Sequence, residues 1–526
     1  MNQRRMDGEY LWLPVRSGAP LRRCAAFCGD TKAFEFTLAA DDGGDGPRHT
    51  ACLPVGVYRG KTLRFEGVTA EWTASLRCAC TPPAAPVCSR PRLHFTPPAG
   101  WINDPNGLVF HEGRYHLFFQ YNPFGTDWGN MTWGHALSDD LFHWRWADPA
   151  LLPDETGVMY SGSALVDEEN AAGYGAGRAL FYYTAAGGEN EWSRGRPFEQ
   201  RLAVLEDGGL RLRKTGRVMV SSLTQGNRDP KVIRHLPSGG YVMALYLNGN
   251  EFALLRSENL TDWTETQRLI LDGMWECPDL IEIPVEGGGT GWIFWSADGY
   301  YMAGAFDGYR FTPTGERRCA YAGGEPTAPG GGAVIPGVTL MPYAAQTYAG
   351  LTDRVVSVAW LRTSNRPDAA GERLPYTGMM SLPVELTLGG DGRLRLRPVK
   401  ELAALRGERR ALSDGDAVLA ESAFELGLSL RGGRAALQFP SGRLEVDGET
   451  GECRFHSVTG IRRFRLEQAE TLALRAIVDV GVTEIFSGDG LTYAVCDTAP
   501  VLAGPVGCRI DGDGEAAFTP LKERRV

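Results

Sequence analysis

"DPNGLVFHEGRYHLFFQYN" (residues 104–122) and "DPKVIRHLPSGGYVMALYLN" (residues 229–248) share one plan, and that plan decides the fold. Each opens on an acid and a proline, runs into an apolar strand, turns at a glycine and returns as a second apolar strand. Each is followed by a further strand ending in an Asp/Asn-Leu…Trp turn, "HALSDDLFHW" (135–144) in the first and "ALLRSENLTDW" (253–263) in the second. A looser third copy, "ECPDLIEIPVEGGGTGWIFWSADG" (276–299), starts at Glu276. Repeats of a few short strands at such a period mark a β-propeller, in which every blade is a similar four-stranded sheet. The innermost strand of each blade lines the central axis, so equivalent positions in different blades converge. Asp104, Asp229 and Glu276 are therefore expected to face one another at one mouth of the channel.

The flanks have a different texture. "EYLWLPV" (9–15), "KAFEFTLAA" (32–40), "TACLPVGVY" (50–58) and "KTLRFEGV" (61–68) are short runs rich in β-formers. "CTPPAAPVCSRPR" (80–92) then has the proline-rich composition of a stiff linker. Beyond residue 380, "RAALQFP" (434–440), "GRLEVDG" (442–448) and "ALRAIVDVGVTEIFSGDGLTYAV" (473–495) alternate around Gly-Asp turns, as a β-sandwich does. One stretch, "VKELAALRGERRAL" (399–412), reads as a helix bridging the two parts. The expected chain is all-β: a small N-terminal, sandwich-like accessory domain over 1–85, a propeller over 90–375 and a C-terminal β-sandwich over 380–526. The glycine-rich run "GGEPTAPGGGAVIPG" (323–337) reads as a long loop within the last blades.

Composition narrows the function. A formal net charge of −10 argues against a nucleic-acid or anionic-membrane partner, since both call for a basic footprint. "MNQRRMDGEYLWLPV" (1–15) has two arginines without an apolar run behind them, so no signal peptide is read and a cytoplasmic location is expected. Six of the 11 cysteines fall in the first ninety residues, but Cys78 and Cys80 are one residue apart, which does not suit a zinc pair. "DDGGDG" (41–46) and "DGDGE" (511–515) lack the spacing of a calcium loop and read as exposed turns, as does "GYGAGR" (173–178). No metal and no cofactor is expected. A homo-oligomer stays open.

The convergent acids permit one chemistry in particular. Glycoside hydrolysis needs two carboxyl groups a short distance apart, one as nucleophile or base and one as proton donor. The donor must stay protonated near neutral pH, which a neighbouring anion favours. Asp104 stands among the amides of Asn103, Asn106 and Gln120, which can hold a carboxylate ionised. Trp101, Trp128 and Trp133 offer flat apolar faces for a sugar ring. Arg228 would keep Asp229 charged for substrate hydroxyls. Singly these signals are weak, and an Asn-Asp-Pro-Asn-Gly run is by itself an ordinary turn. The repeat is what makes the three acids neighbours.

"WINDPNG" (101–107), "RDP" (228–230) and "ECPD" (276–279), in this order, resemble glycoside hydrolase family 32, the β-fructofuranosidases. The likeness extends through "YHLFFQYNP" (115–123), "WGNMTWGHALSDDLFHW" (128–144) and "YSGSALVD" (160–167), and returns at "YAAQTY" (343–348) and "VDVGVTEIFSGDG" (478–490). The resemblance implies a five-bladed propeller and a retaining hydrolase that releases terminal β-D-fructofuranosyl units from levan- or inulin-type fructans, fructo-oligosaccharides and sucrose. Asp104 would be the nucleophile, Glu276 the acid and then the base, and Asp229 the group that binds fructose hydroxyls. Asn103, Gln120, Trp128, Ser161 and Arg228 match positions that shape the fructose pocket, with Tyr160 where the family commonly has Phe. In "VAWLRTSNRP" (358–367), Ser364 and Asn365 stand near where many fructan-degrading members have Trp, so either Trp360 serves or the leaving-group side is altered. Intracellular hydrolysis of sucrose or sucrose 6-phosphate is the alternative within this chemistry. A non-catalytic carbohydrate-binding propeller is the alternative outside it.

Overall fold

The computed structural model describes residues 2–16, 18–41, 43, 48–84, 89–206, 208–322, 342–363, 373–457 and 460–522. The expected loop at 323–337, and Ser364 and Asn365, lie outside the described residues. Strands dominate throughout, and among the described residues no helix is long and apolar enough to cross a membrane.

The first eighty residues build two small sheets. Gln3–Arg5, Leu21–Cys28, Thr31–Ala39 and Thr62–Glu66 form one, and Tyr10–Arg16, Arg48–Pro54 and Arg77–Ala79 form the other. Along Tyr10–Arg16, Leu11, Leu13 and Val15 alternate into the core, where they meet Phe36, Phe65 and Trp72. The strand "LRRCAAFC" escapes the sequence pattern because its two arginines mask the alternation. A short helix, Ala70–Ser75, is also added, its first turn capped by Thr69, whose Oγ1 accepts from the Trp72 N–H at 3.1 Å. Phe124, from the next part of the chain, enters this core and stacks on Phe36 at 4.2 Å.

Five successive antiparallel sheets follow, each starting with the strand nearest a common axis: Gly100–His111, Val158–Asp167, Arg228–His235, Asp279–Pro284 and Pro342–Thr347. Consecutive inner strands touch one another and the last touches the first, which closes the ring of a propeller. The short strand Tyr376–Thr377 pairs in parallel with Gly100–Trp101 and ties the late chain to the first sheet. The repeat therefore marks inner strands: Asp104 lies in the first, Asp229 in the third and Glu276 just ahead of the fourth.

Inside the ring, one buried cation holds three inner strands together. Lys231 Nζ donates to Asp279 Oδ2 at 3.1 Å, to Thr347 O at 3.0 Å and to Thr347 Oγ1 at 2.8 Å. Replacing Lys231 by Met leaves the Asp279 carboxylate buried without its cation, and losing one side of a buried pair costs about 3–5 kcal/mol. The variant is expected to unfold at a correspondingly lower denaturant concentration, followed by tryptophan fluorescence.

The C-terminal part is a β-sandwich built on two long strands, Phe424–Phe439 and Gly504–Pro520, which run through its sheets. The pair is bulged between Arg431 and Arg434, where Gly433 takes φ 70° and a Cβ would meet Asp511 O at 2.1 Å. "DGDGE" (511–515) lies within the second of these strands and is not the exposed turn expected, because its partner strand supplies the hydrogen bonds a turn would have lacked. The expected helix at 399–412 is a 3-10 helix over Lys400–Leu405 followed by a strand at Arg410–Leu412. Leu402 and Leu405, three residues apart, bury on that short turn, and Arg406, in an extended conformation, ends it. Sandwich and propeller share one core: Ile293, Trp295 and Leu386 pack in the same cluster as Ile477, Phe486 and Tyr493.

Candidate active site

Four of the inner strands are irregular at the same end. Register shifts fall between Ile102 and Pro105, Tyr160 and Gly162, Arg228 and Lys231, and Tyr343 and Gln346. A bulge inserts a residue and re-aims the side chains beside it, and proline after Asp104 and Asp229 removes the N–H that a regular ladder would use. Asp229 (φ 61°), Glu276 (φ 55°) and Cys277 (φ 40°) are all left-handed, a conformation that costs energy in non-glycine residues and collects at functional sites. Gly107, at φ 58°, lets the first strand pass Trp133, whose ring a Cβ would approach to 2.8 Å.

All nine expected site residues line one cavity of about 1130 Å³: Asn103, Asp104, Gln120, Trp128, Tyr160, Ser161, Arg228, Asp229 and Glu276. Ser161 Oγ donates to Asp104 Oδ2 at 3.1 Å. The Cys277 N–H donates to Asp229 Oδ2 at 3.1 Å, and the Cys277 thiol lies 3.8 Å from Asp104 Oδ2 and 3.6 Å from Asp229 Oδ2. Thr184 Oγ1 accepts from the Asp229 N–H at 3.1 Å and is itself bonded to Gln200. Glu276 accepts from Arg228 Nη2 at 2.5 Å and from the Tyr343 hydroxyl. Arg228 thus bonds Glu276 more closely than Asp229, which its Nε approaches to 3.8 Å. The Arg228 guanidinium also lies over the Tyr246 ring at 4.5 Å.

Three carboxyl groups in one buried place resist full ionisation. Burial first, and then the charges of Asp229 and Glu276, push the Asp104 carboxyl up to about 7 in spite of hydrogen bonds from Asn103 and Ser161. The expectation that neighbouring amides hold the Asp104 carboxylate ionised is corrected: the hydrogen bonds from Asn103 and Ser161 do not offset the desolvation. Asp229 is raised to about 6 by burial, with Arg228 opposing and Glu276 adding to the rise.

The tryptophans divide. Trp128 is 53% exposed and lines the cavity, set edge-on to Tyr160. Trp101 is 6% exposed and donates to Asn103 Oδ1 at 3.0 Å, so it orients an amide and offers no face to a sugar. Trp133 is fully buried and donates to Tyr160 O at 2.9 Å. Trp360 is buried edge-on to Trp101 and Tyr343 and is absent from the cavity lining, so it does not serve at the leaving-group side. The buried Gln120 Nε2 has no partner among the described residues and remains an amide donor at the cavity wall. Tyr343, Cys277 and Thr184 are the contacts that sequence reasoning missed. Tyr343 stood within a stretch of recognised likeness, but nothing in its own copy of the repeat marks it.

The model of the glycosyl hydrolases family 32 N-terminal domain matches residues 94–398. A levanase of Bacillus subtilis (strain 168) is 31% identical over 463 residues, which cover 76% of this chain and 65% of the levanase. A sucrose-6-phosphate hydrolase of Escherichia coli is 30% identical over 436 residues, covering 76% of this chain and 87% of that enzyme. The crystal structure of exo-inulinase from Aspergillus awamori superposes with a TM-score of 0.70 at 24% identity, over 82% of this chain and 98% of the inulinase. The chain spans a little less than two thirds of the length of the levanase. With the matched region taking up more than half of the sequence, the chain belongs to glycosyl hydrolase family 32.

Proposed function

We propose that this chain is a retaining glycoside hydrolase that releases terminal β-D-fructofuranosyl units from fructans or fructo-oligosaccharides and from sucrose. The observation that carries the reading is the convergence of Asp104, Asp229 and Glu276 in one cavity with an unpaired amide and an exposed indole. Asp104 attacks the anomeric carbon to form a covalent fructosyl intermediate while Glu276 protonates the leaving oxygen. Glu276 then takes a proton from the incoming water, and two inversions give net retention. Asp229, held by the Cys277 N–H, accepts from fructose hydroxyls. Asn103, Gln120, Tyr160, Ser161 and Arg228 shape the pocket, and Trp128 offers an apolar face. The levanase and exo-inulinase relatives support the fructan substrate. A core under the N-terminal sheets and another within the C-terminal strands support a three-domain division close to 1–85, 90–375 and 380–526, with one blade for each of the five central sheets, the fifth of which takes in Val384–Leu388 and Leu394–Pro398. Ten free cysteines among the described residues favour a reducing, cytoplasmic setting.

A second reading, hydrolysis of sucrose 6-phosphate, is favoured by one feature, the exposed Arg196 at the cavity wall, which could meet a phosphate. Incubating the protein with levan, inulin, sucrose and sucrose 6-phosphate, and following free fructose by chromatography, tests both. Release from levan or inulin well above sucrose supports the first, release from the phosphorylated sugar alone supports the second, and release from none overturns both.

The carboxyl cluster sets the pH dependence. The reactive form has Asp104 ionised and a proton on Glu276, so the cluster must keep one proton and no more. Asp104, raised to about 7, and Asp229, raised to about 6, must both be ionised for their roles, so kcat/KM is expected to fall as pH drops through about 7 and further through about 6, where they take up protons. A pH profile of sucrose hydrolysis checks this, and a rate flat from pH 5 to 9 would contradict it.

A further inference from the structure

The N-terminal sheets have no part in the chemistry above, yet they form one wall of a second cavity of about 680 Å³. Its other walls are the propeller segments 122–131 and 188–194. Trp128, Met131, Gly188 and Glu189 line both this cavity and the one that holds the acids, so the two are joined at the rim of the active site. The contact that makes the wall is built of matched groups. The Thr37 N–H donates to Asn130 Oδ1 and Asn130 Nδ2 donates to Thr37 O, each at 2.7 Å. The Trp192 N–H donates to Glu35 Oε1 at 3.1 Å, with the Lys32 ammonium 5.3 Å from the Trp192 ring centre. Arg23 pairs with Glu191 at 3.2 Å, and Arg194 pairs with the same carboxylate.

We infer that this second cavity binds the saccharide units on the leaving-group side of the scissile bond, so that the N-terminal domain makes the enzyme favour oligosaccharides over the disaccharide. The inference rests on the fructosidase reading above. In that reading the terminal fructosyl unit occupies the acid-bearing cavity, and a longer chain must leave it past the rim. At the rim stands the exposed indole of Trp128. Beyond it the groove alternates the kinds of surface a sugar presents: guanidinium and amide N–H groups at Arg23, Arg194 and Asn190 for hydroxyls, and the 72% exposed Leu21 for C–H faces. Glu191 compensates both arginines, so the groove does not select an anion. Its volume suits a ligand of a few rings, within the roughly 300–1,000 Å³ of small-molecule sites.

The test is the ratio of kcat/KM for sucrose extended by two or three fructosyl units to kcat/KM for sucrose, in the full chain and in Arg23→Ala, Arg194→Ala and Leu21→Arg. The unaltered protein should show a ratio well above one. Each variant should lower that ratio by about tenfold, mainly through KM of the long substrate, as expected for a lost hydrogen bond to a charged group or a blocked path. Leu21→Arg obstructs the groove and leaves the Arg23–Glu191–Arg194 cluster intact, which separates binding from loop positioning. Unchanged ratios in all three variants would overturn the groove with the fructosidase reading intact. Parallel losses on sucrose and on the long substrate would overturn it in favour of a purely structural contact. No fructose from any substrate, in the unaltered protein, would overturn the fructosidase reading and the groove with it.

Discussion

Asp104→Asn is expected to lower fructose release by about 10⁴-fold or more, on sucrose and fructans alike, while the affinity for the sugar stays within a few-fold. An amide of the same shape cannot supply the electron pair that closes the covalent intermediate. It can still accept from Ser161 Oγ, which meets Asp104 Oδ2 at 3.1 Å, and Gln120, Trp128 and Arg228 keep their positions around it. Initial rates together with calorimetric titration of the substrate check both halves of the expectation. Residual turnover within tenfold of the unaltered protein would remove Asp104 from the chemistry, and a chain whose role were binding alone would lose nothing. The same variant has a stability signature of determined sign. The folded protein holds the Asp104 proton up to about 7, whereas an ordinary aspartate releases it at 3.8. That contribution to stability is fully present below the unfolded value and is lost as pH rises through about 7. Asparagine carries no such penalty, so the variant should melt above the unaltered protein at pH 8, with the difference closing towards pH 4.

The acids were legible because the repeat made them equivalent, and equivalence in a propeller is proximity. Asp104, Asp229 and Glu276 each stand at the head of a copy, so no side-chain geometry was needed to bring them together. Which neighbours face the cavity was not legible. Trp101 and Trp133 flank the same turn as Trp128, but the bulges around Asn103 and Tyr160 reset the alternation of inward and outward side chains, and a period of two cannot be counted through a bulge. Tyr343 was missed for a related reason: the fifth inner strand carries no acid, so the pattern that flagged the others is silent there. Lys231 sits two residues after Asp229 and reads as a strand-surface lysine, and only the closure of the ring sets it between Asp279 and Thr347. The groove beside Arg23 depends on how one folded unit lies against another, and no local pattern encodes that.

Glu276→Gln should sort substrates by their leaving group. Sucrose and fructans expel a strongly basic alkoxide, which needs a proton as the bond breaks, so their hydrolysis should fall by about 10²–10⁴-fold. A nitrophenyl fructoside expels a weakly basic phenolate that needs none, so its first step, read as a burst of nitrophenol, should keep most of its rate. The second step still lacks its base, and the covalent intermediate should accumulate after the burst. Azide, a nucleophile with no proton to lose, should then restore turnover and give a fructosyl azide of retained configuration. The substitution is conservative in place, since the amide oxygen can accept from Arg228 as Glu276 Oε1 does, and the amide N–H can face the Tyr343 hydroxyl. Equal losses on both substrates, with no response to azide, would take the acid–base role away from Glu276. Asp229 supplies the contrast that makes the test specific: its Oδ2 is held by the Cys277 N–H and its proposed partners are fructose hydroxyls. Those hydroxyls are the same in every substrate, so removing Asp229 should slow all of them without regard to what leaves.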